Sequence, residues 1–138
     1  MKITIKLLLV IFLFVSCSND DEDFFVSIPD KNFEQSLIEL GIDTDGIING
    51  QVLTSDVSGI TELDLHGKGI RDLTGIEDFT SLTYLNCSSN GLTSLDGSWN
   101  GLTSLDVSNN KSLEVLSCNL NQLTSLDISD NTSLTELY

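Results

Sequence analysis

The chain has 138 residues, enough for one domain of ordinary size, and carries 21 acidic against six basic residues for a formal charge of −15. That excess repels phosphate backbones and anionic membrane surfaces, which excludes nucleic acid as a partner. A single His, three Cys and no HExxH, CxxC, GxSxG or GxxxxGK[ST] motif remove the common catalytic and metal-dependent classes.

The first segment reads as an export signal. Lys2 and Lys6 precede the apolar run Leu7 to Val15, and a small residue, Ser16, precedes Cys17. The run is too short to span a bilayer core, which needs roughly 20 residues. Residues 1–16 are therefore expected to be a signal peptide, and 17–28 a tether rich in Asp and Glu around 20–23. Phe14-Val15-Ser16-Cys17 resembles a bacterial lipobox. The resemblance implies cleavage before Cys17 and lipidation of its thiol, with stable anchoring by two or three acyl chains. The acidic run behind Cys17 resembles the signal that sends Bacteroidota-type lipoproteins to the outer face of the outer membrane. It implies an exported, surface-exposed protein.

Residues 29–59 read as an N-terminal cap. Asp30 stands behind Pro29 as a helix N-cap, and Phe33, Leu37, Ile38 and Leu40 fall on one helical face. Gly41 is a natural stop, so a helix is expected over about 31–40. A helix this short is not stable alone, so its apolar face is expected to cover the open end of a repeat array. Asp43-Thr44-Asp45-Gly46 hints at a calcium loop but lacks the remaining ligands of an EF-hand. A plain Asp/Gly turn is the preferred reading of Asp43 and Asp45, and no metal is assigned. Val52, Leu53 and Val57 are expected to form a short strand leading into the next region.

From Ile60 the chain repeats the frame L-x-x-L-x-L-x-x-N-x-L. Ile60, Leu63, Leu65 and Ile70 fill one copy, with Lys68 at the Asn position. Leu82, Leu85, Cys87, Asn90 and Leu92 fill another, and Leu113, Leu116, Cys118, Asn121 and Leu123 a third. Interleaved copies run through Leu102 to Asn110 and Leu123 to Asn131. This pattern over roughly 60–138 resembles the leucine-rich repeat family. The cap, with Asp72 to Phe79, resembles internalin-type surface proteins and the repeat lipoproteins of Bacteroidota. The expected fold is a β-rich solenoid of leucine-rich repeats of about 21–22 residues with one N-terminal cap helix. Asn90, Asn110, Asn121 and Asn131 are expected to bond backbone groups of adjoining coils as a structural ladder. Lys68 cannot do so, which predicts a looser or differently capped first coil. The array stops in mid-frame at Tyr138, and a product cut short from a longer gene is the preferred reading.

Successive half-repeats start at Leu82, Leu92, Leu102, Leu113, Leu123 and Leu134, so each coil holds two similar halves. Cys87 and Cys118 stand one and a half coils apart. A half-coil gained or lost near Gly97 would explain the slip. Either the two Cys then lie on opposite walls, or residues 97–101 bulge out. Both are read as buried free thiols in preference to a disulfide.

Alternation within L-x-L places a second set of residues outward. One expected column is Asp64, Asn86, Asp96, Asp106, Ser117 and Asp127. A flanking column is Glu62, Tyr84, Ser94, Ser104, Val115 and Ser125. The candidate binding face takes Glu62, Asp64, Tyr84, Asn86, Asp96, Asp106 and Asp127, with Trp99 as a hot spot or as filler beside Gly97. A solvated repeat consensus is the alternative for the acidic column. His66 has no Cys, His or Ser partner at a useful spacing and reads as a surface residue. The carboxylates follow the repeat and do not pair across a cleft, which argues against an enzyme. The expected function is a non-catalytic recognition module, lipid-anchored at the bacterial surface through Cys17, binding a protein or glycan without a cofactor. The alternatives are a calcium-stabilised or purely structural spacer, or a fragment of a larger surface protein.

Overall fold

The computed structural model describes residues 24–90 and 101–138. Cys17, the leader and the acidic run lie outside the described residues, as do Ser94, Asp96, Gly97 and Trp99.

The cap begins earlier than the sequence suggests. Strand β1 (Phe25–Ser27) pairs antiparallel with β2 (Gln51–Leu53), with Val26 opposite Val52. Val26, Ile28 and Val52 are buried. Assigning all of 17–28 to a tether is thus corrected: residues 25–28 belong to the cap, because Val26 and Ile28 bury apolar area that a tether would leave in water. The strand expected over Val52 to Val57 is also corrected. It ends at Leu53, and Thr54–Val57 form a single helical turn, α2, that buries only Val57.

Helix α1 spans Lys31–Glu39. Asp30 Oδ1 accepts the N–H groups of Asn32 and Phe33 at 2.8 and 3.1 Å, and Gly41 at φ +69° turns the chain out of the helix. Phe33 and Leu37 are buried, and the Phe33 ring lies 6.1 Å from that of Phe79. The expected apolar face is only partly inward. Leu40 is the C-cap residue and is 48% exposed, while Glu34 and Ser36 are buried.

Four short strands, β3 (Glu62–Asp64), β4 (Tyr84–Asn86), β5 (Val115–Ser117) and β6 (Glu136–Leu137), form one parallel sheet in chain order. Leu63, Leu85, Leu116 and Leu137 share one register. The first three are buried, and Leu137 in the last strand is 48% exposed. Opposite the sheet, each coil returns through a second apolar row: Leu73, Ile76 and Phe79, then Leu102 and Val107, with Leu126 and Ile128 packed against them. A 3-10 turn at Ile76–Asp78 belongs to this second wall.

One of the two readings of the repeat slip is excluded, while the bulge expected over 97–101 falls mostly outside the described residues. Glu62, Tyr84, Val115 and Glu136 stand in register, so the chain between β4 and β5 is longer than an ordinary coil by one half. Cys87 N–H donates to Ser117 O at 2.8 Å, so Cys87 and Cys118 follow adjacent strands on the same wall. Opposite walls are excluded. The surplus falls after Asn90, because the Ile70 N–H bond to Asn90 Oδ1 recurs one coil later as Leu102 N–H to Asn121 Oδ1.

The four asparagines form two ladders, one at each corner of the coil. Asn90 Nδ2 donates to Leu65 O and Cys87 O, and Asn121 Nδ2 to Cys87 O and Cys118 O. At the other corner Asn110 Nδ2 donates to Ile76 O and Phe79 O, and Asn131 Nδ2 to Val107 O and Asn110 O. Asn110 Oδ1 and Asn131 Oδ1 have no partner among the described residues. There the following N–H groups, of Leu113 and Leu134, bond back to the Asn carbonyls instead. The first coil has no such Asn and is held by the cap. Lys68 Nζ meets Glu39 Oε2 at 2.9 Å, and Asn32 Nδ2 donates to Gly69 O.

Candidate binding face

The outward side of the sheet carries two rows. Glu62, Tyr84, Val115 and Glu136 form one, and Asp64, Asn86 and Ser117 the other. The single acidic column expected from the sequence is therefore split. Asp106 and Asp127 do not lie on the sheet, because each stands half a coil out of phase with it, and half a coil carries the chain to the opposite wall. There they flank a groove of about 350 Å3 with Ser104, Ser108, Ser125 and Ser129. Asp106 accepts the Ser108 N–H and Asp127 the Ser129 N–H, each at 2.9 Å. These bonds hold both carboxyls below their usual range. Glu136, at the far end of the sheet row, is not among the residues expected from the sequence. It stands one full coil after Val115.

At the cap end, the sheet face opens into a groove of about 570 Å3 lined by Leu40, Ile42, Ile60, Glu62, Leu63, Asp64 and Tyr84. Leu40 and Ile42 come from the end of α1, and the rest from the first two coils. The groove thus combines an apolar wall, two carboxylates and a half-buried tyrosine. Ile42 N–H and Asp43 N–H both donate to Leu37 O, which ties this wall to the helix.

His66 does have a serine partner. Its Nδ1 lies 3.0 Å from Ser88 Oγ, one coil along, and the Ser88 hydroxyl donates to Asn86 Oδ1 at 2.6 Å. The serine proton is thus engaged by Asn86, and its oxygen accepts from the ring. That is the reverse of a base activating a nucleophile, and it braces two coils against each other. A full coil of intervening sequence hides the pair from a local reading.

Cys87 is buried and Cys118 half-buried, and both are free thiols. Burial, with the Cys118 thiol beside it, pushes the Cys87 thiol up to about 12. Burial also raises Cys118. Neither thiol is activated toward nucleophilic chemistry.

Asp43 and Asp45 form turns. Asp45 Oδ1 accepts the Ile47 N–H at 2.7 Å, Asp45 Oδ2 accepts from Asn49 Nδ2 at 2.8 Å, and Asp43 Oδ1 accepts the Asp45 N–H at 3.3 Å. Among the described residues, no three His, Cys, Asp or Glu side chains converge as metal ligands.

No protein-family model matches the sequence, nor does any curated protein. Two solved structures from Listeria monocytogenes are similar. One is the functional domain of InlJ, described as including a cysteine ladder, with a TM-score of 0.64 and 32% identity over 83% of this chain and 24% of that one. The other is an internalin, inlF, of strain 4b F2365, with a TM-score of 0.60 and 26% identity over 80% of this chain and 30% of that one. This chain spans less than a third of either, and over that span it has the repeat-solenoid fold of these internalins.

Proposed function

We propose that the chain is a non-catalytic recognition module, exported and lipid-anchored through Cys17, that binds a protein partner on the outward face of its sheet. The observation that carries this reading is the groove where Glu62, Asp64 and Tyr84 meet the apolar edge of the cap at Leu40 and Ile42. Such a surface suits a segment that places a Lys or Arg beside an apolar side chain. The stacked thiols are a counterpart of the cysteine ladder named for InlJ and serve as core fillers.

A peptide array probed with the purified full chain at two salt concentrations tests the binding reading. Cationic–apolar peptides are expected to bind, to weaken with salt, and to be lost with Tyr84→Ala and Glu62→Lys. Binding that both variants leave intact rules this face out. Protease shaving of intact cells tests the orientation. Release of repeat peptides without lysis supports an outward-facing protein, and protection until the outer membrane is breached overturns it. Cys17→Ala is expected to move the protein from the membrane to the soluble fraction.

A further inference from the structure

The outward face of the sheet carries charge at its two ends. Along one register row stand Glu62, Tyr84, Val115 and Glu136. Glu62 and Glu136 are exposed, whereas Tyr84 and Val115 are half-buried. The row thus reads acid, aromatic, aliphatic, acid. In the neighbouring row Asp64 stands at the cap end, followed by the uncharged Asn86 and Ser117. Among the described residues no cation pairs with Glu62, Asp64 or Glu136; the ion pair present there joins Lys68 and Glu39. The Tyr138 hydroxyl donates to Glu136 Oε2 at 2.9 Å, which holds that carboxylate in place at the far end.

This spacing selects a ligand geometry. The row crosses the sheet from β3 to β6, and neighbouring strands lie ~4.8 Å apart, so Glu62 and Glu136 are roughly 14 Å apart at the backbone. An extended segment rises ~3.3 Å per residue and turns every second side chain to the same face, so its residues i and i+4 span ~13 Å. A helix with its side chains is about 10–12 Å wide. Strands β3, β4 and β5 hold three residues each and β6 two, which gives a face about 10 Å across or less. An extended segment fits on this face, and a helix overhangs it. On the cap side of Glu62 the groove wall is apolar, formed by Leu40 and Ile42.

We infer that the partner presents an extended segment laid across β3 to β6, with same-face residues in the order apolar, basic, apolar, basic. The first packs against Leu40 and Ile42, the second meets Glu62 and Asp64, the third lies over Tyr84 and Val115, and the fourth meets Glu136. This rests on the reading of the sheet face as the binding surface and adds to it a second cation at a fixed spacing. An exposed ion pair contributes little by itself, so the second cation selects among segments more than it adds affinity. Its removal is expected to weaken binding about threefold at low salt.

The test uses the purified full chain and a labelled peptide, Leu-Ser-Lys-Ser-Leu-Ser-Lys, made in both chain directions and followed by fluorescence anisotropy at low salt. A second peptide has its last Lys exchanged with the Ser before it, which turns that cation to the opposite face at unchanged composition. The in-phase peptide, in one of its directions, is expected to bind about threefold more tightly than the exchanged one. Glu136→Gln keeps an acceptor for Tyr138 and is expected to remove that advantage while leaving the exchanged peptide unaffected. Equal binding of the two peptides, or an equal effect of Glu136→Gln on both, overturns the spacing while the sheet face stands. Binding that survives both Glu62→Gln and Tyr84→Ala, or no binding by any of the peptides, overturns the face itself and the spacing with it.

Discussion

Asp30 and Arg71, far apart in the chain, are joined by one hydrogen bond, from the Arg71 N–H to Asp30 Oδ2 at 2.8 Å. The same oxygen accepts the Asp72 N–H, while Oδ1 caps α1. One carboxylate thus starts the cap helix and docks it on the first coil. Asp30→Ala is expected to lower stability by about 2 kcal/mol, roughly double an ordinary N-cap loss. Asp30→Asn, which keeps one acceptor oxygen, is expected to fall between. Urea denaturation measures both, and a loss of ~1 kcal/mol or less for the alanine variant would assign no weight to the long-range bonds.

Gly75 enables the close approach of the first coil to β1. It has φ +102°, and a Cβ there would lie 2.5 Å from Ile28 Cδ1 and 2.6 Å from Ser27 O. The backbone oxygen belongs to a paired strand and cannot step aside. Gly75→Ala is expected to destabilise by about 2 kcal/mol or more, from the dihedral and the clash together. A thermal melt indistinguishable from the parent would show that β1 yields easily.

The surplus in the second coil predicts a tolerated deletion. Asn-Gly-Leu-Thr-Ser-Leu-Asp occurs at 90–96 and again at 100–106. The second copy supplies buried Leu102 and Val107, whereas the first has Gly97 where Val107 stands. Removing residues 91–100 joins Asn90 to Gly101 and restores the length of an ordinary coil between β4 and β5. The shortened chain is expected to fold with an unchanged circular dichroism spectrum and a melting temperature no lower than the parent's. Loss of cooperative unfolding would mean that the first copy contributes to the core.

The two stacked thiols differ in access. In the folded chain at pH 8, Cys87 is expected to resist a disulfide-exchange reagent, and Cys118 to react slowly. Both should react at once in denaturant. Rapid labelling of Cys87 under native conditions would show that the first two coils open readily. Blocking Cys17 or replacing it with Ser keeps the readout to these two sites.

Much of the architecture was legible locally. The L-x-L alternation placed Leu63, Leu85 and Leu116 inward, Asp30 and Gly41 marked the ends of the cap helix, and the repeated Asn stood at the coil corners. These signals arise from periodicity and from capping chemistry, which act over a few residues. The candidate face was legible only in part. Glu62, Asp64, Tyr84 and Asn86 share it, but Asp106 and Asp127 belong to the other wall, because the phase of each half-coil depends on everything counted before it.

The amino-acid sequence by itself determined that this chain repeats, that each repeat has an apolar inward row, and that a helix caps the array. Tertiary structure alone decided which half-coil faces which way, where the surplus half-coil falls, and which distant groups meet. His66 with Ser88, Asp30 with Arg71, and Glu34 with the 49–51 backbone are all such meetings. The reason is physical. A repeat specifies its own turn through local geometry, but contacts between coils join residues a whole turn of the solenoid apart, where only stacking brings the partners together.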